Sequence, residues 1–203
     1  SLACQVHCPS LVRVGSVGEG GSWMCNPWAM PKGSVVFSLG SHDFFFEADL
    51  QETTANAATI VTVDMKAPNK KSLTGLDKIN ATFVHAMIAN KTNLKAKPPH
   101  YTVTDLMAKQ GHKHIEILKM DIGSETTVLP QFLNDNTVCQ IMVETHEING
   151  LPKLLRTVAN AGFLLQKYEA DASETGAGLC EYSFIHESCL EKYGATLLAS
   201  YLR

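Results

Sequence analysis

The sequence has little that would bring the protein to a membrane or to a nucleic acid. No stretch of its 203 residues reaches the roughly 18 to 20 apolar residues that a membrane-spanning helix needs. Charged residues make up only 18% of the chain, and the formal net charge is −3. Because no basic field is available to attract a polyanion, we expect no membrane span and disfavour a nucleic-acid substrate.

The length of the chain suits one compact α/β domain and is short for two. We expect residues 1–32 to form an N-terminal cap segment of the same domain and residues 33–203 to form its main part. The chain starts at Ser1, without Met or a signal-like segment, and we interpret this as a sign of processing or trimming.

Cysteines and glycosylation sequons bear on the cellular compartment. The six cysteines lie mostly near the two ends of the chain, at Cys4, Cys8, Cys25, Cys139, Cys180 and Cys189. They predict disulfide-stapled termini, and the pairing stays open. Asn80 and Asn90 begin N-glycosylation sequons, which have meaning only in the secretory pathway. We favour the secretory lumen or the extracellular space, with a cytoplasmic protein carrying free thiols as the alternative.

From residue 32 onward, apolar β-rich runs alternate with segments that read as helices, which is typical of a mostly parallel sheet covered on both faces. The predicted strands cover residues 34–39, 59–63, 82–88, 115–122, 138–144, 163–168 and 182–186. The predicted helices cover residues 47–57, 104–110, 124–133, 151–161 and 190–202. Residues 171–179 are rich in Gly, Ala and Ser, so the last two strands should form an antiparallel hairpin at the sheet edge.

The end of the first predicted strand carries the first candidate site, since ligands bind beyond the carboxyl ends of the strands in an open parallel sheet. Gly40 would let the backbone approach a ligand closely. Ser41, His42 and Asp43 would line the turn, and Ser38 lies two residues before Gly40. An ordinary strand-to-helix turn is the alternative.

Titratable residues end three further predicted strands. Asp64 follows the second strand, where a carboxylate can accept hydrogen bonds from both hydroxyls of a ribose. Asp121 ends a strongly apolar strand at the same edge of the sheet, and Glu144 and His146 end the next. These side chains predict a binding site on this rim, although each could instead be a solvated strand end or a helix cap.

These segments resemble the successive motifs of FkbM-type methyltransferases. The similar runs are VVFSLGS at 35–41 with the following Phe46 and Glu47, LKMDIGSE at 118–125, and IMVETH at 141–146. VRVG at 12–15 and EGGSWMC at 19–25 are similar to the N-terminal signature of an animal branch called methyltransferase-like proteins, many of which look secreted. The resemblance covers nearly the whole chain.

The resemblance implies a Rossmann-like class I methyltransferase fold, with a seven-stranded, mostly parallel sheet, and S-adenosylmethionine as cofactor. It implies O-methylation of a hydroxyl on a small molecule or a glycan. Together with the turn described above, the expected cofactor-binding residues are Ser38, Gly40, Ser41, His42, Asp43, Asp64 and Asp121. The expected catalytic residues are Asp121, Glu125, Glu144 and His146. Among them His146 is the candidate general base, because histidine exchanges protons near neutral pH.

The sequence departs from the family pattern at two points. The family usually reads Asp-Ile-Glu-Gly-x-Glu, whereas residues 121–125 read DIGSE and lack the first glutamate, and the first loop is poorer in glycine. A catalytically inactive binding or scaffolding domain of the same fold is therefore the alternative function. A nicotinamide-dependent oxidoreductase fits the sheet but needs a Gly-x-Gly-x-x-Gly turn that the first strand lacks.

No metal site is expected. The ligand-like residues 4–8 and 112–114 fit no zinc template. A magnesium ion at Asp121 would need a defined set of oxygen ligands, which the sequence does not fix.

Overall fold

The computed structural model describes residues 3–17, 20–41, 43–146, 149–170 and 180–202. Its strands are β1 (Val6–His7), β2 (Leu11–Val14), β3 (Ser22–Cys25), β4 (Ser34–Leu39), β5 (Ala58–Asp64), β6 (Ala81–His85), β7 (Met87–Ile88), β8 (His100–Tyr101), β9 (Ile117–Met120), β10 (Gln140–Thr145), β11 (Phe163–Ala170), β12 (Cys180–His186) and β13 (Thr196–Leu197). Its α-helices are α1 (Phe45–Thr53), α2 (Lys70–Lys78), α3 (Val103–Lys109), α4 (Glu125–Leu133), α5 (Leu151–Asn160) and α6 (Leu190–Tyr193).

Seven strands form the central sheet, in the order β11-β12-β10-β9-β4-β5-β6. Neighbouring strands pair in parallel except β12, which is antiparallel to both β10 and β11. The predicted mostly parallel sheet with an antiparallel hairpin near the C-terminus is thus confirmed. The chain runs outward from β4 to β6 and then returns to β9 on the other side of β4, so the order reverses between β4 and β9, where ligands bind in such sheets.

Both faces of the sheet are covered, because successive side chains of each strand point to opposite faces. On one face, Phe37 and Leu118 pack in a core with α3, α4 and α5. On the other, Val36 and Ile117 pack against the N-terminal strands, α1, α2 and the C-terminal residues. Each β-strand of the centre is therefore apolar on both sides, which explains the continuous apolar runs of the sequence.

The N-terminal segment is fixed to the second face by hydrogen bonds and is cross-linked within itself by a disulfide. β2 and β3 form an antiparallel hairpin, and the buried Gln140 side chain bonds both the backbone NH and the C=O of Cys25 at 2.8 and 2.9 Å. Cys25 is also linked to Cys8, and a second disulfide joins Cys139 to Cys189. β1 pairs with β13, so both ends of the chain meet.

Three predictions of secondary structure were wrong in detail. The helix expected at 190–202 ends at Tyr193, because Gly194 adopts a left-handed conformation (φ 66°), and β13 follows. The strand expected at 82–88 is split into β6 and β7. Helix α2 was not predicted. The connection at 171–179 lies outside the described residues, and among the described helices none is long and apolar enough to cross a bilayer.

Candidate active site

Gly40 lies where the strand order reverses, directly after β4. Its NH donates to the Val63 carbonyl at 2.8 Å, and the Asp121 NH donates to the Leu39 carbonyl at 2.9 Å. Gly40 has φ +84°, and a Cβ on it would lie 1.7 Å from the Asp121 carbonyl oxygen. Glycine is therefore required here by the backbone of Asp121, whereas the sequence argument invoked a ligand.

The main cavity opens beside this point, at the carboxyl ends of β4, β5 and β9. It has a volume of about 340 Å³ and is lined by Gly40, Val63, Asp64, Met65, Lys66, Ala86, Met87, Ile88, Asp121, Ile122, Gly123 and His146. The lining is largely apolar, with carboxylates at two points. Asp64 is buried, and its carboxylate accepts a hydrogen bond from the Lys66 NH at 2.6 Å.

A second, smaller pocket of about 80 Å³ shares Gly40 and Asp121 with the main cavity. Its lining comprises Gly20, Gly40, Ser41, Asp43, Phe44, Phe45, Phe46, Lys119 and Asp121. It therefore lies between the first turn of α1, the N-terminal segment and the end of β9. We call it the small pocket.

Glu125 and His146 form a pair behind the turn that follows β9, and the imidazole is 36% exposed. Glu125 is 1% exposed, and its Oε1 accepts hydrogen bonds from the backbone NH groups of Ile122, at 2.8 Å, and of Gly123. The same oxygen lies 3.2 Å from Nδ1 of His146. Glu125 thus holds both the turn and the imidazole ring, which leaves Nε2 near Asp121 Oδ1, at 3.4 Å.

Glu144 adds a further carboxyl group, 3.8 Å from His146 Nε2. Burial first and the negative charge of Asp121 second raise the pKa of Glu144 from 4.5 to about 7, against the opposing charges of His146 and Lys119. A carboxyl group with this pKa can donate or accept a hydrogen bond near neutral pH. Next to it on β12, burial also raises the pKa of Glu181, against a hydrogen bond from Ser22 and the charges of Lys119 and Arg13.

The arrangement at the rim also resembles a cation site in its spacing. Asp121, Glu144 and His146 each bring one ligand atom within 4.8 Å of the other two. Oxygen and imidazole ligands suit several divalent ions, but acidic groups take such positions without one as well, and we assign no metal here.

The residues predicted from the sequence fall into three groups. Gly40, Asp64, Asp121 and His146 line the main cavity, and Ser41 and Asp43 line the small pocket. Glu125 and Glu144 surround His146. Ser38 is buried in the sheet, lines neither pocket and has a hydroxyl without a partner among the described residues, while His42 lies outside the described residues.

Sequence reasoning missed Lys119 and the apolar lining of the main cavity. Lys119 could have been noticed, because it is the one charged residue within the apolar run of β9. Met65, Met87 and Ile88 carry no comparable signal, since isolated apolar residues after strands are common on protein surfaces.

Comparisons with known proteins agree with this geometry. A family model described as "Methyltransferase domain" matches residues 1–185, and no curated protein matches the chain. A candidate rRNA methylase from Clostridium thermocellum has a TM-score of 0.52 and 12% identity, covering 77% of this chain and 88% of that one. The fibrillarin pre-rRNA processing protein of Methanococcus jannaschii has a TM-score of 0.51 and 7% identity, covering 92% and 96%.

At these identities the two solved structures show a shared fold only. The family match extends over the N-terminal segment, the strand-order reversal and all the cavity residues described above. The chain therefore belongs to this family of methyltransferase domains and is an S-adenosylmethionine-dependent methyltransferase.

Proposed function

We propose that the enzyme methylates a hydroxyl group on a small molecule or a glycan, as an FkbM-type enzyme of the animal methyltransferase-like branch. The observation that carries the proposal is the Glu125–His146 pair at the rim of the main cavity, with 3.2 Å between the carboxylate and Nδ1. A neutral hydroxyl is a weak nucleophile, so its methylation benefits from a positioned base. His146 supplies that base.

The cofactor contributes an electrophilic methyl group on a sulfonium sulfur. The main cavity suits its adenosine portion: Asp64 can accept hydrogen bonds from the ribose hydroxyls, and Met65, Met87 and Ile88 offer apolar surface to the base. Gly40 keeps the turn after β4 free of a side chain at the junction of the two pockets.

In the proposed reaction, Glu125 accepts a hydrogen bond from Nδ1–H of His146 and so fixes the tautomer that has a lone pair on Nε2. Nε2 accepts the proton of the acceptor hydroxyl while the oxygen bonds to the methyl carbon. The carbon–sulfur bond breaks and its electrons remain on sulfur. Alignment of the three atoms and exclusion of water are the main contributions of the protein.

The polar groups near His146 support a hydroxyl-rich acceptor. Glu144 can hold a neighbouring hydroxyl, as donor or acceptor near neutral pH, because its pKa is about 7. A net charge of −3 offers little attraction to RNA. The two solved structures that share the fold are nevertheless of proteins named for rRNA methylation or pre-rRNA processing.

We also propose a secretory or extracellular location for a single domain capped by residues 1–32. Two disulfides support an oxidising compartment over the cytoplasm, and Asn80 and Asn90 of the sequons are both exposed. Expression through the secretory pathway, followed by glycosidase digestion, should lower the apparent mass. An unchanged mass would remove the glycosylation part of the proposal.

Methyl transfer to a panel of sugars, polyols and phenols tests the reaction. His146→Asn should lower kcat by about 100-fold or more, with the affinity for S-adenosylmethionine little changed. The exposed His7, which lines neither pocket, provides the control variant His7→Asn. Activity should persist in EDTA. Cofactor binding without turnover on any acceptor would instead favour a binding or scaffolding role, and loss of activity in EDTA would favour a metal over a histidine base.

A further inference from the structure

Lys119 occupies an unusual position for a lysine. It lies in the middle of β9, all four residues of which are buried, and is itself only 6% exposed. Its ammonium lies 5.9 Å from the centre of the Phe46 ring and forms no hydrogen bond or ion pair with the described residues. At longer range, its positive charge acts to lower the pKa of Glu144 and of Glu181. Because a buried ammonium without a hydrogen bond or ion pair is costly, its position points to a partner beyond the described residues.

The small pocket has two positive features on its wall. Lys119 lines it, and so does the first turn of α1 through Phe45 and Phe46. This nine-residue helix has no side-chain cap, since its N-cap is Phe44. The backbone NH groups at such an end carry partial positive charge and favour anions. Glu47 in the same turn is buried and brings a negative charge of its own, so the indication of an anion rests on the buried ammonium of Lys119, and the uncapped helix end adds to it.

The same pocket also has negative groups, because Asp43 and Asp121 line it. A pocket with both charges suits a zwitterion better than a simple anion. Its volume of about 80 Å³ admits an amino-acid head group and excludes a whole nucleoside. Since it meets the main cavity at Gly40 and Asp121, the two pockets together suit a ligand with an adenosine at one end and an amino acid at the other.

We propose that Lys119 binds the α-carboxylate of the methionyl part of S-adenosylmethionine in the small pocket, while Asp43 and Asp121 bind its α-ammonium. The inference rests on the proposed occupation of the main cavity by the adenosine portion. Lys119 is then a cofactor-binding residue that fixes the sulfonium between the two pockets, within reach of the rim where His146 lies. Ligands that lack the carboxylate should lose this anchor.

Calorimetric titration with three ligands tests the inference: S-adenosylmethionine, its decarboxylated analogue, and 5′-methylthioadenosine, which lacks the whole amino-acid head. The wild-type chain should bind S-adenosylmethionine about 10- to 100-fold more tightly than the decarboxylated analogue, the range for a hydrogen bond to a charged group. The Lys119→Met substitution should weaken the binding of S-adenosylmethionine by a similar factor. It should change the affinity for the other two ligands by less than about 3-fold.

The matched control is Lys153→Met, because Lys153 is exposed on α5 and lines neither pocket; it should leave all three affinities unchanged. Equal losses for all three ligands in Lys119→Met would overturn the inference and make Lys119 a support of the fold. So would an unchanged affinity for S-adenosylmethionine, or a loss confined to the KM of the acceptor. The comparison on the wild-type chain needs no variant, and hydroxyl methylation is read out separately by turnover.

Discussion

Gly40 lies where the chain after β4 touches the backbone of Asp121. The importance of this close approach can be tested by comparison with a second glycine of the same backbone conformation. Gly40→Ala should lower the free energy of unfolding by about 2 to 4 kcal/mol, from the left-handed backbone together with a clash against a carbonyl. Gly33 has the same φ of +84° but nothing within 4 Å of its added Cβ. Gly33→Ala should therefore cost only about 1 to 2 kcal/mol. Denaturant unfolding measures both, and equal losses would show that crowding at Asp121 is unimportant.

Glu144 should make stability depend on pH. Its pKa in the folded protein, about 7, lies above the ordinary 4.5, so the folded state holds this proton more tightly than the unfolded chain does. The contribution is fully present below about pH 4.5 and is lost as the pH rises towards about 7. The side chain of the Glu144→Gln variant cannot ionise. The Tm of this variant, relative to that of the wild type, should therefore rise by a few degrees between pH 5 and pH 8.

Thermal unfolding of the two proteins across this pH range provides the measurement. The exposed Glu52 on α1 offers the control variant Glu52→Gln, whose Tm difference from the wild type should be nearly constant. A pH-independent difference for Glu144→Gln would mean that burial does not hold the proton on this carboxyl group.

At this scale the sequence predicts acidic site residues better than their roles. Asp64, Asp121 and His146 could be found because polar residues that end apolar strands meet at one edge of the sheet. The pairing of Glu125 with His146 could not, since it depends on the turn after β9 folding back beside β10. Lys119 was missed because a strand period alone cannot distinguish a buried charge from a solvated one.

Among the elements, the two disulfides should differ in their contribution to stability. Cys8 and Cys25 are 17 residues apart, while Cys139 and Cys189 are 50 apart. From the loop entropy of the unfolded chain, the shorter bridge should contribute about 3 kcal/mol and the longer about 4 kcal/mol. The double Ser variants of each pair should show this order in denaturant unfolding. Cys4→Ser removes a thiol outside both bridges and should change little; a larger loss for the Cys8–Cys25 pair would reverse the expectation.

Strands of the central sheet were predictable and the peripheral elements were not. β4 was predicted at its observed limits because both of its faces are buried and its run is continuously apolar. Helix α2 was missed because its sequence is rich in Lys and its one buried apolar residue is Leu76. β13 could not be predicted, since its pairing partner Val6 lies at the other end of the chain.

At the scale of the whole molecule, Gln140 links the N-terminal segment to the sheet. Gln140→Leu would leave the buried NH and C=O of Cys25 without partners, at a cost of about 2 to 5 kcal/mol. Hydrogen exchange in β2 and β3 should then be faster than in the wild type, by more than any change in β4. Gln131→Leu, at an exposed position on α4, is the control. Unchanged exchange in the hairpin would mean that the Cys8–Cys25 bridge and apolar packing hold it alone.

The position of β12 between β10 and β11 also has a consequence for biosynthesis. During translation the nascent chain can pair β4, β5, β6, β9 and β10 while later residues are still inside the ribosome. β11 can take its place at the edge only after β12 has been made, because β12 is the strand it pairs with. Completion of the sheet therefore waits until β12 has been made, and until then β10 presents an open edge that chaperones of the folding compartment would have to protect.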